Sequence, residues 1–74
     1  MSVTLIPIGM LKTYTAGQEK VLLDAGPTVE QLLEAIEIPT QLVAGVVCDE
    51  VLVSQDYRPQ DGETVKLLTI MGGG

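Results

Sequence analysis

Apolar and polar positions alternate along this 74-residue chain in two distinct rhythms. Val29, Leu32, Leu33 and Ile36 recur at i, i+3, i+4 and i+7, one face of a helix, while Glu30, Glu34 and Glu37 fall on the other side. Thr28 stands three residues before Gln31, the spacing of a capping box that satisfies two orphan donors at a helix start. Ala25-Gly26-Pro27 breaks the chain ahead of this helix, and Pro39 ends it by pushing the residue before it out of helical backbone.

The second rhythm is that of strands. Val3-Thr4-Leu5-Ile6-Pro7-Ile8 is a β-rich run closed by Gly9, with Pro7 suited to a strand end because it has no N–H to donate. Ala16-Gly17-Gln18 signals a turn before a second strand, Glu19 to Asp24, and Met10 to Tyr14 between them lengthens either a strand or the loop. Leu42 to Cys48 is a nearly continuous apolar run, as in a strand buried on much of both faces. Asp49-Glu50 turns the chain into a short return strand, Val51-Leu52-Val53. Asp61-Gly62 ends the following loop, and Thr64 to Ile70 forms the last strand. The order is strand, strand, helix, strand, short strand, strand, which makes an α+β domain with one helix covering one face of a sheet.

Composition narrows what such a domain does. Hydrophobic residues are 46% of the chain, enough for one core, but a domain this small has little room for an enclosed catalytic cavity beside it. Ten acidic residues against four basic ones give a net charge of −6, the wrong sign for a nucleic-acid binder. That field favours a partner with a positive surface. Histidine is absent and Cys48 is the single cysteine, so there is no disulfide, no zinc cluster and no Ser-His or Cys-His pair. Cys48, inside its apolar run, reads as a small buried hydrophobe. Asp49, Glu50, Asp56 and Asp61 lack the spacing of a calcium loop, so no metal site is assigned. Met1 to Leu5 carries no basic segment ahead of a long apolar run, and no apolar stretch nears the ~18 residues of a membrane span. A soluble, cytoplasmic protein with no membrane or nucleic-acid partner is expected.

The chemistry concentrates at the end of the chain. Gly72-Gly73-Gly74 has no side chains, spans up to about 10 Å when extended, and ends in a free carboxylate. Such a segment can thread a narrow channel and present its carboxylate to a distant active centre. Strand parity adds a partner surface. If Lys66 faces solvent, Leu68 and Ile70 share its face, whereas Val65, Leu67 and Thr69 face the helix. Met71 extends that apolar patch into the tail.

The run Val46-Val47-Cys48-Asp49-Glu50-Val51-Leu52-Val53, then Asp61-Gly62-Glu63-Thr64-Val65-Lys66-Leu67-Leu68, then the glycine end, resembles the MoaD/ThiS family of ubiquitin-like sulfur carriers. The resemblance spans the chain and implies a ubiquitin-like β-grasp: a mixed sheet of four to five strands on one main helix over residues 1–71, followed by a glycine tail, 72–74. Three glycines where two are usual, and Met71 ahead of them, depart from the family pattern.

By this resemblance Gly74 is adenylated and then carries sulfur as a thiocarboxylate. Gly73 shares the reacting end, and Gly72, Met71, Ile70 and Leu68 meet the partner. No cofactor is bound: the glycyl adenylate and thiocarboxylate are transient, and a partner uses the ATP. The implied partners are an ATP-dependent activating enzyme of the MoeB/ThiF kind and either a synthase large subunit or a thiazole synthase. The chain itself is then a non-catalytic carrier or small synthase subunit. Leu11-Lys12 and Tyr14 incline the reading to the molybdopterin branch over the thiamine branch. A ubiquitin-like modifier that forms isopeptide bonds and a passive interaction domain are the readings from other classes.

Overall fold

The structure is a computed structural model that describes residues 1–69. Five strands, β1 (Ser2–Pro7), β2 (Val21–Asp24), β3 (Val43–Cys48), β4 (Val51–Val53) and β5 (Thr64–Thr69), form one sheet in the order β2-β1-β5-β3-β4. β1 and β5 run parallel at its centre, and the other pairs are antiparallel. The sheet is therefore mixed, and its strand number is the upper of the two expected. The helix α1 (Val29–Ala35) covers one face.

The core lies between that helix and the sheet. Val3 and Leu5 of β1, Val65 and Leu67 of β5, and Leu33 of α1 are essentially inaccessible to solvent. β5 alternates as its parity requires: Val65 and Leu67 are buried, Lys66 and Leu68 exposed.

The start of α1 forms as its sequence dictates. The Thr28 hydroxyl accepts from the Gln31 N–H at 3.2 Å, and the Gln31 side-chain oxygen accepts from the Thr28 N–H at 2.9 Å. Thr28→Ala removes the hydroxyl acceptor and should cost about 1 kcal/mol, read as a lower urea midpoint with an unchanged m-value.

The end of α1 comes earlier than Pro39 demands. Ile36 is the cap, Glu37 adopts φ 61°, and Ile38 turns back into the core with 2% of its surface exposed. The Ile38 N–H donates to the Leu33 carbonyl at 2.9 Å and the Glu37 N–H to the Glu34 carbonyl at 3.1 Å. These two bonds are a Schellman motif, and Leu33 and Ile38, the pair such a motif brings together, are both buried in the core. Burial of Ile38 outweighs the strain of a glutamate in left-handed backbone.

Two further segments depart from the strand pattern. Gly9–Thr15 is a 3-10 helix that sends Leu11 fully into the core and is closed by the Thr15 hydroxyl, which donates within reach of the Lys12 and Gln18 carbonyls, both at 3.0 Å. It begins at Gly9, where φ is +63° and an added Cβ would sit a tight 3.2 Å from Thr69 Cγ2, so both backbone and space favour glycine here.

β3 is buried on one face rather than on much of both. A bulge around Ala44 lets Val43 and Val46 both point into the core with Cys48, leaving Ala44 exposed and Gly45 and Val47 half-buried on the outer face. The long apolar run reflects this change of parity.

Candidate functional site

The outer face of the sheet, away from α1, leads into the end of β5. Leu68 stands on it opposite Gly45 of β3, and Leu52 of β4 rises from the same face opposite Val47. An added Cβ on Gly45 would meet Leu68 Cδ1 at 3.5 Å and Leu52 Cδ1 at 3.7 Å, so the glycine is a flat floor between two leucines. With Ile8, Ala44 and Thr69 these residues line an open, mainly apolar cleft of about 390 Å³. Leu52 is 72% exposed, and Leu68 and Ile8 are each 36% exposed. An apolar surface of this kind at the root of the chain's end is a candidate docking place for another protein.

Of the residues singled out from sequence, Leu68 lies where parity puts it, exposed beside this cleft. Ile70, Met71, Gly72, Gly73 and Gly74 lie outside the described residues. Sequence reading missed Leu52, Gly45 and Ile8. Their signal is the cross-strand register, which joins positions far apart in the chain.

The carboxylate, thiol and phenol near the other end of β5 form a separate cluster. The Tyr57 hydroxyl donates to Glu63 Oε1 at 2.8 Å and the Gln60 N–H donates to the same oxygen at 2.6 Å. The backbone donor first, and the phenol second, hold the Glu63 carboxyl below its ordinary range. The anionic acceptor in turn raises the Tyr57 phenol, with burial adding to it. Burial, then the neighbouring Glu63, pushes the Cys48 thiol up to about 11.

This cluster fastens the loop before β5. A pKa of about 11 leaves about one Cys48 thiol in a thousand ionised at pH 8, and the residue is buried. Cys48 should therefore resist iodoacetamide at pH 8 in the folded protein and react fully in urea, as followed by mass.

Glu63 also gives the fold a pH dependence. Because its pKa is lower folded than unfolded, its contribution is complete above the unfolded value and is lost as pH falls through the folded one. Below about pH 4.5, its ordinary value, the urea midpoint should drop, and the drop should be smaller in Glu63→Gln.

Among the described residues, no three His, Cys, Asp or Glu side chains stand together as metal ligands, and no helix is long and apolar enough to cross a membrane.

The sequence matches the ThiS family over residues 8–74. The chain belongs to that family. ThiS-family carriers are ubiquitin-like, and solved structures place this member's fold among them as a β-grasp. A chain of the Amycolatopsis orientalis BexX/CysO complex is 26% identical with a TM-score of 0.73, covering 97% of this chain and 99% of that one. SAMP1 from Haloferax volcanii is 17% identical with a TM-score of 0.72, each chain covered in full. A chain of the complex between subunits 1 and 2 of the molybdopterin-converting factor from Helicobacter pylori is 19% identical with a TM-score of 0.64, again covered in full. A comparison with curated proteins returns no match.

Proposed function

We propose that this ThiS-family member is a sulfur carrier whose reacting group is the carboxylate of Gly74. The observation that carries the reading is that the family match runs through to Gly74, the glycine end included. A carboxylate is a poor acyl donor until one oxygen becomes a good leaving group. Transfer of AMP from ATP to that oxygen, with release of pyrophosphate, makes it one. A persulfide sulfur then attacks the acyl carbon and expels AMP, and a thiol reduces the resulting acyl disulfide to the thiocarboxylate. Its sulfur is a far better nucleophile at neutral pH than the oxygen it replaces.

The ATP-dependent activating enzyme supplies the catalytic groups, and this chain supplies the docking face and the acyl end. Leu68, Leu52 and Ile8 beside the flat floor of Gly45 are the apolar part of that face. Gly72, Met71 and Ile70 continue it toward the active centre of the enzyme. Two of the solved relatives are themselves partners in protein complexes, which supports a carrier that works seated on a larger protein. We take the downstream acceptor to be the large subunit of a molybdopterin synthase, on the Leu11-Lys12 and Tyr14 pattern. Thiazole sulfur delivery in thiamine synthesis is the second reading, equally compatible with the ThiS-family match.

The test is the intact mass after incubation with ATP, the activating enzyme of the same organism and a sulfur source. A gain equal to exchanging one oxygen for sulfur, confined to the last peptide and dependent on ATP, is the expected result. No gain, with that enzyme shown active on another carrier, removes the reading. Sulfur transfer from the product to a molybdopterin synthase subunit or to a thiazole synthase then separates the two pathways.

A further inference from the structure

One end of the outer sheet face, around Ile6 and Ile8, gathers lysines although the chain as a whole is acidic. Lys66 of β5 pairs in register with Ile6 of β1 on one side and Val47 of β3 on the other, and its side chain is exposed. Val21 begins β2 opposite Leu5, and Lys20 just before it lines a cleft with Ile6. Lys20, Lys12 and Ile6 line one cleft of about 240 Å³ together with Ile8, which also borders the apolar cleft at the root of the chain's end. Two lysines thus flank Ile6 across neighbouring strands, about 10 Å apart by strand spacing, and their stems can lie along apolar surface with the ammonium groups in water.

Of the ten carboxylate side chains, Glu19 lines that cleft. Lys12 and Lys20 against Glu19 leave that cleft with one net positive charge in a chain of net charge −6, and Lys66 stands beside it across Ile6. Asp49, bonded to the Thr64 N–H two residues before Lys66, lies toward the opposite end of β5. Asp24 ends β2 on the same face, four residues beyond Lys20 and roughly 13 Å away along an extended chain. Glu30 and Glu34 belong to α1, on the other side of the sheet, across a layer about 10 Å thick. With a Debye length of about 8 Å at physiological ionic strength, a protein seated on the outer face responds to its lysines and is largely screened from the helix carboxylates.

We propose that Lys20 and Lys66 are the charge-reading pair of the docking face, and that the activating enzyme meets them with carboxylates around an apolar patch. The inference rests on the carrier reading above and refines its partner: the matching surface is acidic, although the net charge of the chain favours a basic one. The apolar residues supply contact area, and the two ammonium groups supply orientation and rate of encounter.

The experiment is ATP–pyrophosphate exchange by the activating enzyme of the same organism, with wild type, Lys20→Glu, Lys66→Glu, the double variant and Glu34→Lys as substrates. All are checked first for an unchanged melting temperature. The expected result is a KM raised about threefold to fivefold by each single reversal and about tenfold by the pair, with kcat unchanged and the difference shrinking in 0.5 M salt. Lys66→Arg should keep the wild-type KM, and Glu34→Lys should leave it unmoved. Exchange with the wild type but an unaltered KM for the lysine reversals overturns this inference alone. So does a KM raised by Glu34→Lys, the signature of steering by net charge. No exchange with the wild type, on an enzyme active with another carrier, overturns the carrier reading and this inference with it.

Discussion

Deletion of Gly73 and Gly74 is expected to abolish the ATP-dependent exchange of oxygen for sulfur while leaving the melting temperature within about 3 °C of wild type. The shortened chain still ends in a glycine carboxylate, that of Gly72. Removal of two residues, however, withdraws that carboxylate by about 7 Å from its place relative to the docked domain. Misplacement by even about 1 Å can reduce a positioned reaction about a hundredfold, so a 7 Å shortfall leaves no measurable adenylate. Stability is expected to hold because every buried core residue among the described ones lies between Val3 and Leu67 and is retained. A truncated chain that still gains sulfur would place the reacting group elsewhere, and a large fall in melting temperature would show that the glycines pack against the domain.

The parts of this molecule legible in sequence are those whose causes are local. Thr28 and Gln31 satisfy each other across three residues, so the helix start needs no tertiary knowledge. The period of two in β5 likewise places Leu68 outward from its own strand alone. The end of α1 was half legible. Pro39 is a visible stop, but the chain leaves the helix earlier because Ile38 finds a buried site and closes the Schellman bonds. The 3-10 helix at Gly9–Thr15 has a single buried apolar anchor, Leu11, which is too little to make a period.

The proposed docking face is a non-local object and is accordingly hidden in sequence. Leu52 joins it through its pairing with Val47, and Gly45 through a bulge at Ala44 that no spacing rule announces. Its charge was hidden for the same reason. Summing the chain gives −6, yet register gathers Lys66 and Lys20 around Ile6, and the helix holds Glu30 and Glu34 on the far side. For a partner within a Debye length, the order of strands decides the sign.

The largest loss of stability should come from Leu33→Ala. Leu33 is wholly buried, its neighbour Leu32 and the helix start at Val29 are buried with it, and its carbonyl accepts the Ile38 N–H that ends the helix. Truncation leaves a cavity beneath the single covering helix and should cost about 2–5 kcal/mol. A domain of this length has a total stability of roughly 4–11 kcal/mol, so the variant sits near the edge of folding at 37 °C. With m near 1 kcal/mol/M, the urea midpoint should fall by about 2 M or more. Leu22→Ala is the matched control. Leu22 is 70% exposed on the outer face of β2, and its truncation should change stability by less than about 0.5 kcal/mol. Equal costs at the two positions would mean that α1 does not press on the sheet as described. A large cost at Leu33 alone shows that α1 packs on the inner face of the sheet whose outer face brings Leu68, Gly45 and Leu52 together.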